Sequence, residues 1–512
     1  MKPADLLECA CRKYPKKVAL RSGEKSVTYE SLAQNVRRLT RAMVQNGVGP
    51  HDDVVISCGN SIEYIEMFLA ASYVGAVPNL YNVGWSVEVA LDLAREPLAK
   101  TKLAFLHVHD VRSGLIASRL HEEDAVPVVS LGESVPGCWE YEDFLAGGDS
   151  TLELEPFRFQ GDDTVLQAFT RGTTSVQNCV MVTADNVTAW LLTTIADERW
   201  AHDDTMLITF PFFHVAGLCF LKAIAMGAQV VVGSSLQAKD IAEAIARYRV
   251  TRCGFAPILL DRLTAYASGH DVDFSSVRSV GYGSSHISVD LMKRCKTYLN
   301  CDLRQAYGMT ETLTTGTSLT AEDHAVPNLL DSVGKPMLGI DVRVVDEAGR
   351  DCPSGIVGEV LIRSATVMKG YRGNPSLTNE VLADGWYHTK DMGFLDDEGH
   401  LRIRGRKDGM IISGGENIFP EEVADCIKRM QPDVIDAAVI GVSDAMWGQT
   451  PAAFVVRAQN SSINESDVAQ FCADHLARYK KPRHVFFVEA LPRGESGKVS
   501  TKELFSLYRQ NV

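Results

Sequence analysis

Residues 169–183, FTRGTTSVQNCVMVT, are rich in small and hydroxyl-bearing side chains. The centre of this loop, Gly172-Thr173-Thr174-Ser175, suits phosphate binding, because glycine lets the backbone approach a ligand closely and hydroxyl groups form hydrogen bonds. A loop that grips triphosphate also carries a lysine and a second glycine, whereas Asn178 and Cys179 occupy those places. The residues alone leave three interpretations, namely a working nucleotide loop, a weakened one and a polar turn.

Several further segments combine glycine with hydroxyl, aromatic or charged residues. In chain order they are PFFHVAGL at 211–218, GYGSSHIS at 281–288, QAYGMTET at 305–312, SVGKP at 332–336, GEVLIRSATVMKGY at 358–371, GWYHTKDMGFLDDEGHLRIRGRKDGMIISGGENIFPEEV at 385–423 and LPRGESGKVS at 491–500. Taken alone, a carboxylate or lysine in such a segment is ordinarily a solvated surface group, and an aromatic residue ordinarily packs in the core. The order of all the segments along one chain is far more specific than any one of them.

This series resembles the adenylate-forming superfamily, which includes acyl- and aryl-CoA ligases, firefly luciferase and the adenylation domains of peptide synthetases. The resemblance covers nearly the whole chain, from VTYESLA at 27–33 to Lys498. It implies an ATP-dependent acyl-CoA synthetase that activates a carboxylic acid with Mg-ATP to an acyl-adenylate. The acyl group would then pass to coenzyme A, with release of AMP and pyrophosphate.

The resemblance assigns nucleotide-binding roles to a set of polar and glycine residues. These are Thr170, Gly172, Thr173, Thr174, Gly283, Ser284, Ser285, Tyr307, Gly308, Asp391 and Arg406. Tyr307 would stack on adenine, with the backbone of Gly283-Ser284-Ser285 along the ring edge. Asp391 would accept hydrogen bonds from both ribose hydroxyls, since one carboxylate can take two donors. Arg406 would add contacts to ribose and phosphate.

Three residues are expected to act on the reacting groups. Thr310 would hydrogen-bond phosphate, and Glu311 would be the ligand of the Mg²⁺ that neutralises the phosphates. Lys498 would stabilise the charge that develops between the carboxylate and the α-phosphate. A carboxylate is already a nucleophile at neutral pH, so the first half-reaction needs no general base.

The expected acid pocket is apolar and comprises Phe213, His214, Phe255, Tyr282 and Met309. It suits a fatty, cyclic or aryl acid. Peptide-synthetase adenylation domains place an aspartate after the phenylalanine of the aromatic motif to pair with an α-amine. The absence of a carboxylate from Phe212-Phe213-His214 argues against an amino-acid substrate.

The thiol half-reaction is expected to involve a mobile C-terminal domain. Asp408 falls at the family's hinge position, and Gly409 beside it gives the backbone extra freedom. Ser413, Gly414 and Gly415 resemble the loop that lines the coenzyme A channel, although an ordinary β-turn explains the glycines equally well. An acyl carrier protein in place of coenzyme A stays an alternative acceptor.

The opening loop departs from the family pattern, which is close to T-S-G-T-T-G-x-P-K-G. The Gly-Thr-Thr centre is kept, but Arg171, Ser175, Gln177, Asn178 and Cys179 replace other residues. Loss of one charged hydrogen bond costs about 1.5–3 kcal/mol, or roughly 10–100-fold in rate. If either lost glycine needed a left-handed backbone, each replacement would add about 1–2 kcal/mol.

We interpret this loop as weakened or re-engineered, because Arg171 brings a new cation and the residues for adenylation are otherwise kept. Two alternatives stay open. The protein could thioesterify only a preformed acyl-adenylate, or it could be a non-catalytic binder of nucleotide or acyl ligands.

The elements that must position these residues alternate between helix and strand up to about residue 340. Leu32, Val36, Leu39 and Met43 mark one face of a helix that Thr28 caps and Gly47 ends, and a second helix runs from about Ile62 to Val74. Asp53–Ile56, Met206–Ile208 and Val230–Val232 read as buried strands, and residues 240–248 as a helix. This alternation predicts an α/β fold of helix-covered, mostly parallel sheets.

The later part of the chain differs in character. Residues from about 340 to 407 read as hairpins of a strand-rich, β-barrel-like subdomain. A small α+β domain is expected over 408–512, after an N-terminal domain over 1–407. Its last long helix is expected from the spacing of Val468, Phe471, Cys472, His475, Leu476 and Tyr479.

Composition limits the possible functions and location. The 512 residues carry a formal net charge of −14, which argues against a nucleic-acid partner. The N-terminus has no apolar signal segment, and no stretch is long and apolar enough to span a membrane. The twelve scattered cysteines favour reduced thiols, so we expect a cytoplasmic protein. The sequence leaves the oligomeric state open.

Overall fold

The computed structural model describes residues 3–148, 151–171, 177–233, 235–283, 287, 289–444, 446–493 and 499–511. It contains two compact units, Met1–Asp341 with Ile362–Tyr387, and Val342–Leu361 with His388–Val512. These bounds do not coincide with the predicted domain boundary at 408, and the hinge at Asp408 stays a prediction. Within the described ranges, every helix is too short or too polar to cross a membrane.

The elements alternate as the sequence predicts. The strands are β1 Val18–Ser22, β2 Lys25–Thr28, β3 Asp53–Ser57, β4 Val77–Leu80, β5 Thr101–Val108, β6 Val128–Gly132, β7 Trp139–Glu140, β8 Thr164–Arg171, β9 Gln177–Thr183, β10 Thr205–Ile208, β11 Gln229–Val232, β12 Arg252–Phe255, β13 Ser279–Gly283, β14 Asp302–Tyr307, β15 Thr317–Leu319, β16 Lys335–Pro336, β17 Ile340–Val345, β18 Gly358–Ser364, β19 Gly370–Tyr371, β20 Leu382–Ala383, β21 Trp386–Leu395, β22 Leu401–Arg406, β23 Ile411–Ser413, β24 Glu416–Ile418, β25 Val434–Asp444, β26 Gly448–Arg457 and β27 His484–Phe487.

The helices are α1 Pro3–Lys13, α2 Tyr29–Gln45, α3 Ile62–Val74, α4 Val87–Ala94, α5 Val111–Glu122, α6 Tyr141–Ala146, α7 Ala184–Glu198, α8 Phe220–Met226, α9 Ala238–Tyr248, α10 Pro257–Ala267, α11 Val289–Tyr298, α12 Pro375–Val381, α13 Pro420–Lys428, α14 Glu465–His475 and α15 Thr501–Asn511. The two helices expected near the N-terminus start and stop where capping chemistry predicts. The Thr28 side chain accepts a hydrogen bond from the backbone of Ser31 at the start of α2, and Gly75 ends α3 in the left-handed conformation.

One sheet of the first unit has the strand order β19-β9-β8-β4-β3-β5-β6-β7. Strands β4, β3, β5 and β6 run parallel. The chain passes from β3 through α3 to β4 on one side, and from β5 through α5 to β6 on the other. The carboxyl ends of β3 and β5 therefore flank a topological switch point, where open α/β sheets bind ligands.

The other sheet of the first unit has the order β16-β15-β14-β13-β12-β10-β11-β1-β2. Strands β11, β10, β12, β13 and β14 run parallel. The chain leaves β10 for β11 on one side and β12 for β13 on the other, which gives this sheet its own switch point. The aromatic segment at 211–214 directly follows β10, so it lies at this point. The predicted α/β fold with mostly parallel sheets is confirmed.

The second unit has a strand-rich part and a small α+β part. In the strand-rich part β21 and β22 form the antiparallel hairpin that the sequence predicts, with Asp391 opposite Arg406. In the α+β part the sheet order is β24-β23-β26-β25, with β27 beside β26. Helices α13 and α14 bury Val423, Ile427 and Val468 against this sheet.

One helix prediction was partly wrong. Helix α14 ends at His475, and Leu476 has an extended backbone with φ −127° and ψ 168°. Tyr479 lies in a separate 3₁₀ turn over Arg478–Lys480. Leu476 still packs against the core of this domain, whereas Tyr479 is exposed. The apolar spacing therefore continues past the helix end, and periodicity alone cannot detect where the helix stops. A later helix, α15, was not predicted.

Candidate active site

Glu311 is a buried carboxylate at the end of β14. It lies in a 3₁₀ turn over Thr310–Thr312 and is 8% exposed. The Tyr371 hydroxyl donates a hydrogen bond of 2.8 Å to Glu311 Oε1, and the backbone N–H of Met368 donates to the Glu311 carbonyl. Both the side chain and the backbone of Glu311 are therefore held in place. A buried carboxylate with a fixed orientation is suited to holding a cation.

The backbone after Glu311 has an uncommon conformation. Leu313 and Thr314 have φ values of 52° and 62°, in the left-handed region that branched residues rarely adopt. The Thr315 hydroxyl, which is fully buried, donates a hydrogen bond of 2.6 Å to the Thr312 carbonyl. The surrounding contacts therefore hold a turn that the chain would not adopt alone, which is common at functional sites.

Two glycines beside this turn are required by close backbone contacts. A Cβ atom on Gly308 would lie 2.3 Å from the Thr314 carbonyl carbon, and one on Gly283 would lie 3.0 Å from the Ala306 oxygen. Tyr307 is half-buried between them at the end of β14. The structure thus brings together Gly283, Tyr307, Gly308, Thr310 and Glu311 at the carboxyl ends of β13 and β14.

Asp391 and Arg406 form an ion pair in the second unit. Arg406 Nη1 donates to Asp391 Oδ1 at 3.1 Å across the β21–β22 hairpin. The Asp391 backbone N–H donates to the Thr389 hydroxyl, and that hydroxyl donates to the Val360 carbonyl at 2.7 Å. The predicted ribose-binding carboxylate is therefore positioned by both its backbone and its side chain.

Asp408, the predicted hinge, is tied to the same arginine. Arg406 Nε donates to Asp408 Oδ1 at 3.1 Å. Burial raises the pKa of Asp408, but the hydrogen bond and positive charge of Arg406 outweigh it and hold the pKa below its usual range. Asp408 is accordingly ionised at neutral pH in this conformation.

The predicted coenzyme A segment forms a tight hairpin. Gly414 and Gly415 connect β23 to β24, and both have positive φ, at 60° and 89°. Two such residues in succession are typical of a type I′ turn. A Cβ on Gly414 would lie 2.5 Å from the Trp447 ring, and Ser413 is buried beside it. The β-turn interpretation of the glycines is correct, and the coenzyme A role stays a prediction.

Phe213 and His214 lie on a segment that is clamped by α3 and the residues before it. Asn60 Nδ2 donates to the carbonyls of Phe210 (2.9 Å) and Gly233 (3.2 Å), and Asn60 Oδ1 accepts from the Phe212 N–H (2.9 Å). The Tyr64 hydroxyl donates to the Phe212 carbonyl. The rings of Phe213 and His214 contact each other with centroids 4.6 Å apart.

Phe255 and Tyr282 pair across neighbouring strands of the second sheet. They are Cα partners on β12 and β13, and both are buried. The His324 Nδ1 lies beside the Thr320 carbonyl, which assigns the proton to Nδ1, so Nε2 accepts from the Tyr282 hydroxyl at 2.9 Å. Burial raises the pKa of Tyr282 and lowers that of His324, so both are neutral at pH 7.

Four of the five predicted pocket residues divide between two apolar clusters, and His214 belongs to neither. Phe213 and Met309 belong to the main core, whereas Phe255 and Tyr282 belong to the cluster under β12 and β13. The expectation of an apolar pocket needs one amendment, since the Tyr282 hydroxyl and His324 form a polar pair beside Phe255.

The opening loop is described only at its two ends. Gly172, Thr173 and Thr174 lie outside the described residues, as do Ser284, Ser285 and Lys498. Thr170 and Asn178 are Cα partners on β8 and β9, and Cys179 pairs with Phe169. Because Cys179 lies in a regular strand, the left-handed cost considered for the lost glycine does not apply there. Burial raises the pKa of its thiol to about 12.

Two residues of this site were not predicted from the sequence. Tyr371 holds Glu311 from 60 positions away, and Asn60 holds the 210–212 segment from 150 positions away. Tyr371 ends the segment GEVLIRSATVMKGY, which marked it as part of a motif without assigning a contact. Asn60 carried no signal beyond its place before a helix-capping serine.

The described part of the chain contains no metal site made of protein side chains alone. Within the described ranges, no group of three or more His, Cys, Asp or Glu residues could hold a metal ion. Mg²⁺ in nucleotide sites commonly uses one or two carboxylates together with phosphates and water. The single fixed carboxylate of Glu311 fits that kind of site.

Two family models match the chain. The AMP-binding enzyme model matches residues 7–372, and the model of the AMP-binding enzyme C-terminal domain matches residues 426–498. The chain is 31% identical to fatty acid–[acyl-carrier-protein] ligase from Streptomyces coeruleorubidus, covering 94% of this chain and 91% of that one. It is 32% identical to feruloyl-CoA synthase from an Amycolatopsis species, covering 96% of each.

A solved structure agrees with these relatives. O-succinylbenzoate coenzyme A synthetase from Bacillus subtilis, in complex with ATP and magnesium ion, superposes with a TM-score of 0.85 at 25% identity, covering 98% of this chain and 99% of that one. The first family model alone spans well over half of the sequence, and it includes the Gly308–Glu311 turn. The protein is an ATP-dependent acid–thiol ligase, and it belongs to the family of AMP-binding enzymes.

Proposed function

We propose that the protein activates a fatty, cyclic or aryl carboxylic acid with ATP and Mg²⁺ and transfers the acyl group to coenzyme A. The observation that carries this proposal is the turn after β14, where Gly308 permits close packing against the Thr314 backbone and Glu311 is fixed by Tyr371. This turn lies in a described part of the motif series that resembles the adenylate-forming enzymes.

In the first unit, Tyr307 and the backbone at Gly283 would hold the adenine, and Thr310 would donate to a phosphate. Glu311 would hold Mg²⁺, which supplies positive charge to the phosphates and so favours attack at the α-phosphorus. The Tyr371 hydroxyl keeps one Glu311 oxygen in place. The acid would lie near Phe213 and Phe255, at the switch point between β10 and β12.

In the second unit, Asp391 would accept from the ribose hydroxyls and Arg406 would contact ribose or phosphate. Lys498 would stabilise charge in the first half-reaction. Rotation about Asp408 would then bring Ser413, Gly414 and Gly415 to the acceptor. The Arg406–Asp408 bond in this conformation would have to break or be remade in such a rotation.

The acceptor has two candidates. Coenzyme A is favoured by the relative named a CoA synthase. A carrier protein is a second candidate, because a relative of similar identity is named an acyl-carrier-protein ligase. A ligase limited to the second half-reaction and a non-catalytic binder are not favoured, since the relatives are named as a ligase and a CoA synthase. We place the reaction in the cytoplasm, in keeping with twelve cysteines that are all free.

An ATP–pyrophosphate exchange screen over short, medium, long-chain and aromatic acids tests the proposal. We expect exchange with at least one class, followed by thioester formation with coenzyme A or holo-carrier protein. Lys498→Ala should lose at least 100-fold in exchange while still converting synthetic acyl-adenylate to thioester, on the expectation that a lost charge-stabilising group costs about 2.7 kcal/mol or more. No exchange with any acid would refute the proposal, and undiminished exchange in Lys498→Ala would refute the role of that residue.

A further inference from the structure

Arg372 is a buried cation that directly follows Tyr371, the residue that holds Glu311. Its side chain is only 7% exposed, although β19, which it follows, is the edge strand of its sheet. Arg372 Nη1 donates hydrogen bonds of 2.7 Å to both Asp53 Oδ2 and Gln167 Oε1. A buried charge needs such partners, because an unpaired one would lose its hydration without compensation. The guanidinium group is therefore held in one place.

The partners of Arg372 are themselves fixed in the interior of the sheet. Asp53 begins β3 and is 4% exposed, and its Oδ2 also accepts from the Lys100 backbone N–H at 3.0 Å. Gln167 lies on β8 and is buried. Glu96 Oε2 lies 3.3 Å from Arg372 Nε and adds a second carboxylate. The side chain of Arg372 thus connects the edge of the sheet to two of its inner strands.

Arg372 and Tyr371 act on opposite faces of the sheet, since successive strand residues point to opposite sides. Tyr371 and Val180 belong to the main core, whereas Cys179, next to Val180 on β9, belongs to the apolar cluster on the other face. Cys179 Sγ donates to Gln167 Oε1 at 3.3 Å, the same oxygen that Arg372 binds. Arg372 therefore anchors β19 from one face while the tyrosine points into the other.

Strand β19 has few backbone contacts of its own. It contains two residues and pairs with β9, and the flanking N–H groups of Lys369 and Arg372 donate to the carbonyls of Met181 (3.0 Å) and Cys179 (2.8 Å). Strand β9 leads out of the opening loop, where Cys179 stands at a glycine position of the family pattern. A glycine would have no side chain to reach Gln167. The anchor thus connects the strand after the loop to the strand that carries Tyr371.

From these contacts we propose that Arg372 is a positioning residue for the adenylation step and acts through Tyr371 on Glu311. By tying β19 to β3 and β8, it sets the distance between the Tyr371 hydroxyl and the Glu311 carboxylate. A displacement of about 1 Å in such a group can cost about 100-fold in rate. Arg372 itself lies on the opposite face from this carboxylate and needs no contact with the reacting groups. The inference rests on the proposed role of Glu311 in holding Mg²⁺.

Arg372→Gln tests the proposal. We expect ATP–pyrophosphate exchange to fall roughly 10–100-fold, and the Mg²⁺ concentration for half-maximal exchange to rise. Thioester formation from synthetic acyl-adenylate uses no ATP and should be unchanged. Equal losses in the two half-reactions, or an unchanged Mg²⁺ dependence, would overturn the proposal.

Arg252→Gln is the matched control. Arg252 is a buried arginine in the other sheet, and its Nε donates to the buried Asp204 carboxylate at 2.6 Å. Both variants should lower the melting temperature, because each leaves an aspartate without its cation. Only Arg372→Gln should shift the Mg²⁺ dependence. The same shift in Arg252→Gln would show that Arg372 acts through stability alone.

Arg372→Lys provides a milder change if Arg372→Gln does not fold. Lysine keeps the charge beside Asp53 but lacks the planar fork of the guanidinium group, so the same effects should appear in smaller size. A crystal structure of the variant that folds, without ligands, gives a readout independent of activity. We expect the Tyr371–Glu311 distance to exceed about 3.5 Å, which is no longer a hydrogen bond. A bond kept at 2.8 Å would overturn this inference, whereas absence of exchange in the natural protein would refute the proposed function instead.

Discussion

Tyr371 and Glu311 are 60 residues apart in the sequence, and the Tyr371 hydroxyl donates a 2.8 Å hydrogen bond to Glu311 Oε1. Both side chains are buried, and the Met368 N–H holds the Glu311 backbone as well. The segment that ends in GY therefore fixes the carboxylate expected to hold Mg²⁺. We infer that Tyr371 acts through Glu311 as a positioning residue, with no contact of its own to the reacting atoms required.

Tyr371→Phe removes this hydrogen bond and leaves the ring in place. A hydrogen bond to a charged group contributes about 1.5–3 kcal/mol, so ATP–pyrophosphate exchange should fall roughly 10–100-fold. The Mg²⁺ concentration for half-maximal exchange should rise as well. Tyr29→Phe is the matched control, because the buried Tyr29 hydroxyl donates to the Ala228 carbonyl at 2.6 Å. Equal loss of activity in both variants would show that Tyr371 acts only through stability.

Gly308→Ala tests the close packing beside the same turn. The new Cβ would lie 2.3 Å from the Thr314 carbonyl carbon and 2.6 Å from its oxygen, both backbone atoms that cannot rotate away. We expect displacement of Thr310 and Glu311 and at least a 100-fold loss of exchange, which corresponds to about 2.7 kcal/mol. Gly281→Ala is the control on β13, where the nearest atom to a Cβ is 3.9 Å away. Full activity of Gly308→Ala would contradict the tight geometry of the turn.

Local sequence signals were sufficient for much of the fold. The bounds of α3 follow from a capping serine at 61 and a left-handed glycine at 75, and the structure has the helix at Ile62–Val74. The strand-rich change near residue 340 and the β21–β22 hairpin follow from alternation and turn residues. These features depend on neighbours in the sequence, which is why a single sequence predicts them.

Contacts between segments that are far apart in the sequence could not be predicted from the sequence. The Asn60 clamp spans 150 residues and the Tyr371 contact spans 60, and neither leaves a periodic or spacing signal. The end of α14 at His475 was missed for the same reason, since Leu476 continues the apolar spacing while the backbone becomes extended. The tertiary structure decides these positions.

Asn60→Asp tests the clamp on the aromatic segment. The aspartate keeps an oxygen that accepts from the Phe212 N–H. It also replaces the amide N–H donor with a carboxylate oxygen, which repels the carbonyl oxygens of Phe210 and Gly233. We expect the KM for the acid to rise about tenfold, from loss of bonds contributing about 0.5–1.5 kcal/mol each, while the KM for ATP stays unchanged.

Asn186→Asp is the control for this prediction. Asn186 makes the same pattern of bonds, donating to the carbonyls of Ala365 and Val367 and accepting from the Thr183 N–H. Both variants should lower the melting temperature, but only Asn60→Asp should raise the KM for the acid. An equal rise in the KM for the acid in both variants would show that Asn60 has only a general structural role.

The Tyr282–His324 pair predicts a pH dependence of stability. Burial lowers the pKa of His324 below its ordinary value of 6.5. The folded state therefore binds fewer protons than the unfolded state, so this contribution to stability is complete above pH 6.5 and is lost progressively as the pH falls below that value through the lowered pKa of the folded state. Melting temperatures between pH 7.5 and 5.5 should fall more steeply in the natural protein than in His324→Gln. Identical slopes would show that His324 does not titrate on unfolding.

Asn178→Lys tests whether the opening loop is weakened. Asn178 is half-buried on β9, opposite Thr170 on β8, at the position where the family pattern has lysine. If the loop lacks one charged hydrogen bond to phosphate, the new lysine should raise kcat/KM for ATP roughly 10–100-fold. Gln177→Lys adds the same charge to the opposite face of the strand, because successive strand residues alternate, and should have little effect. An equal increase in kcat/KM for ATP in Gln177→Lys and Asn178→Lys would show that the added positive charge acts without regard to its position. No gain in either variant would indicate that Arg171 already supplies the cation, so that the loop is re-engineered and its loss of lysine carries no cost.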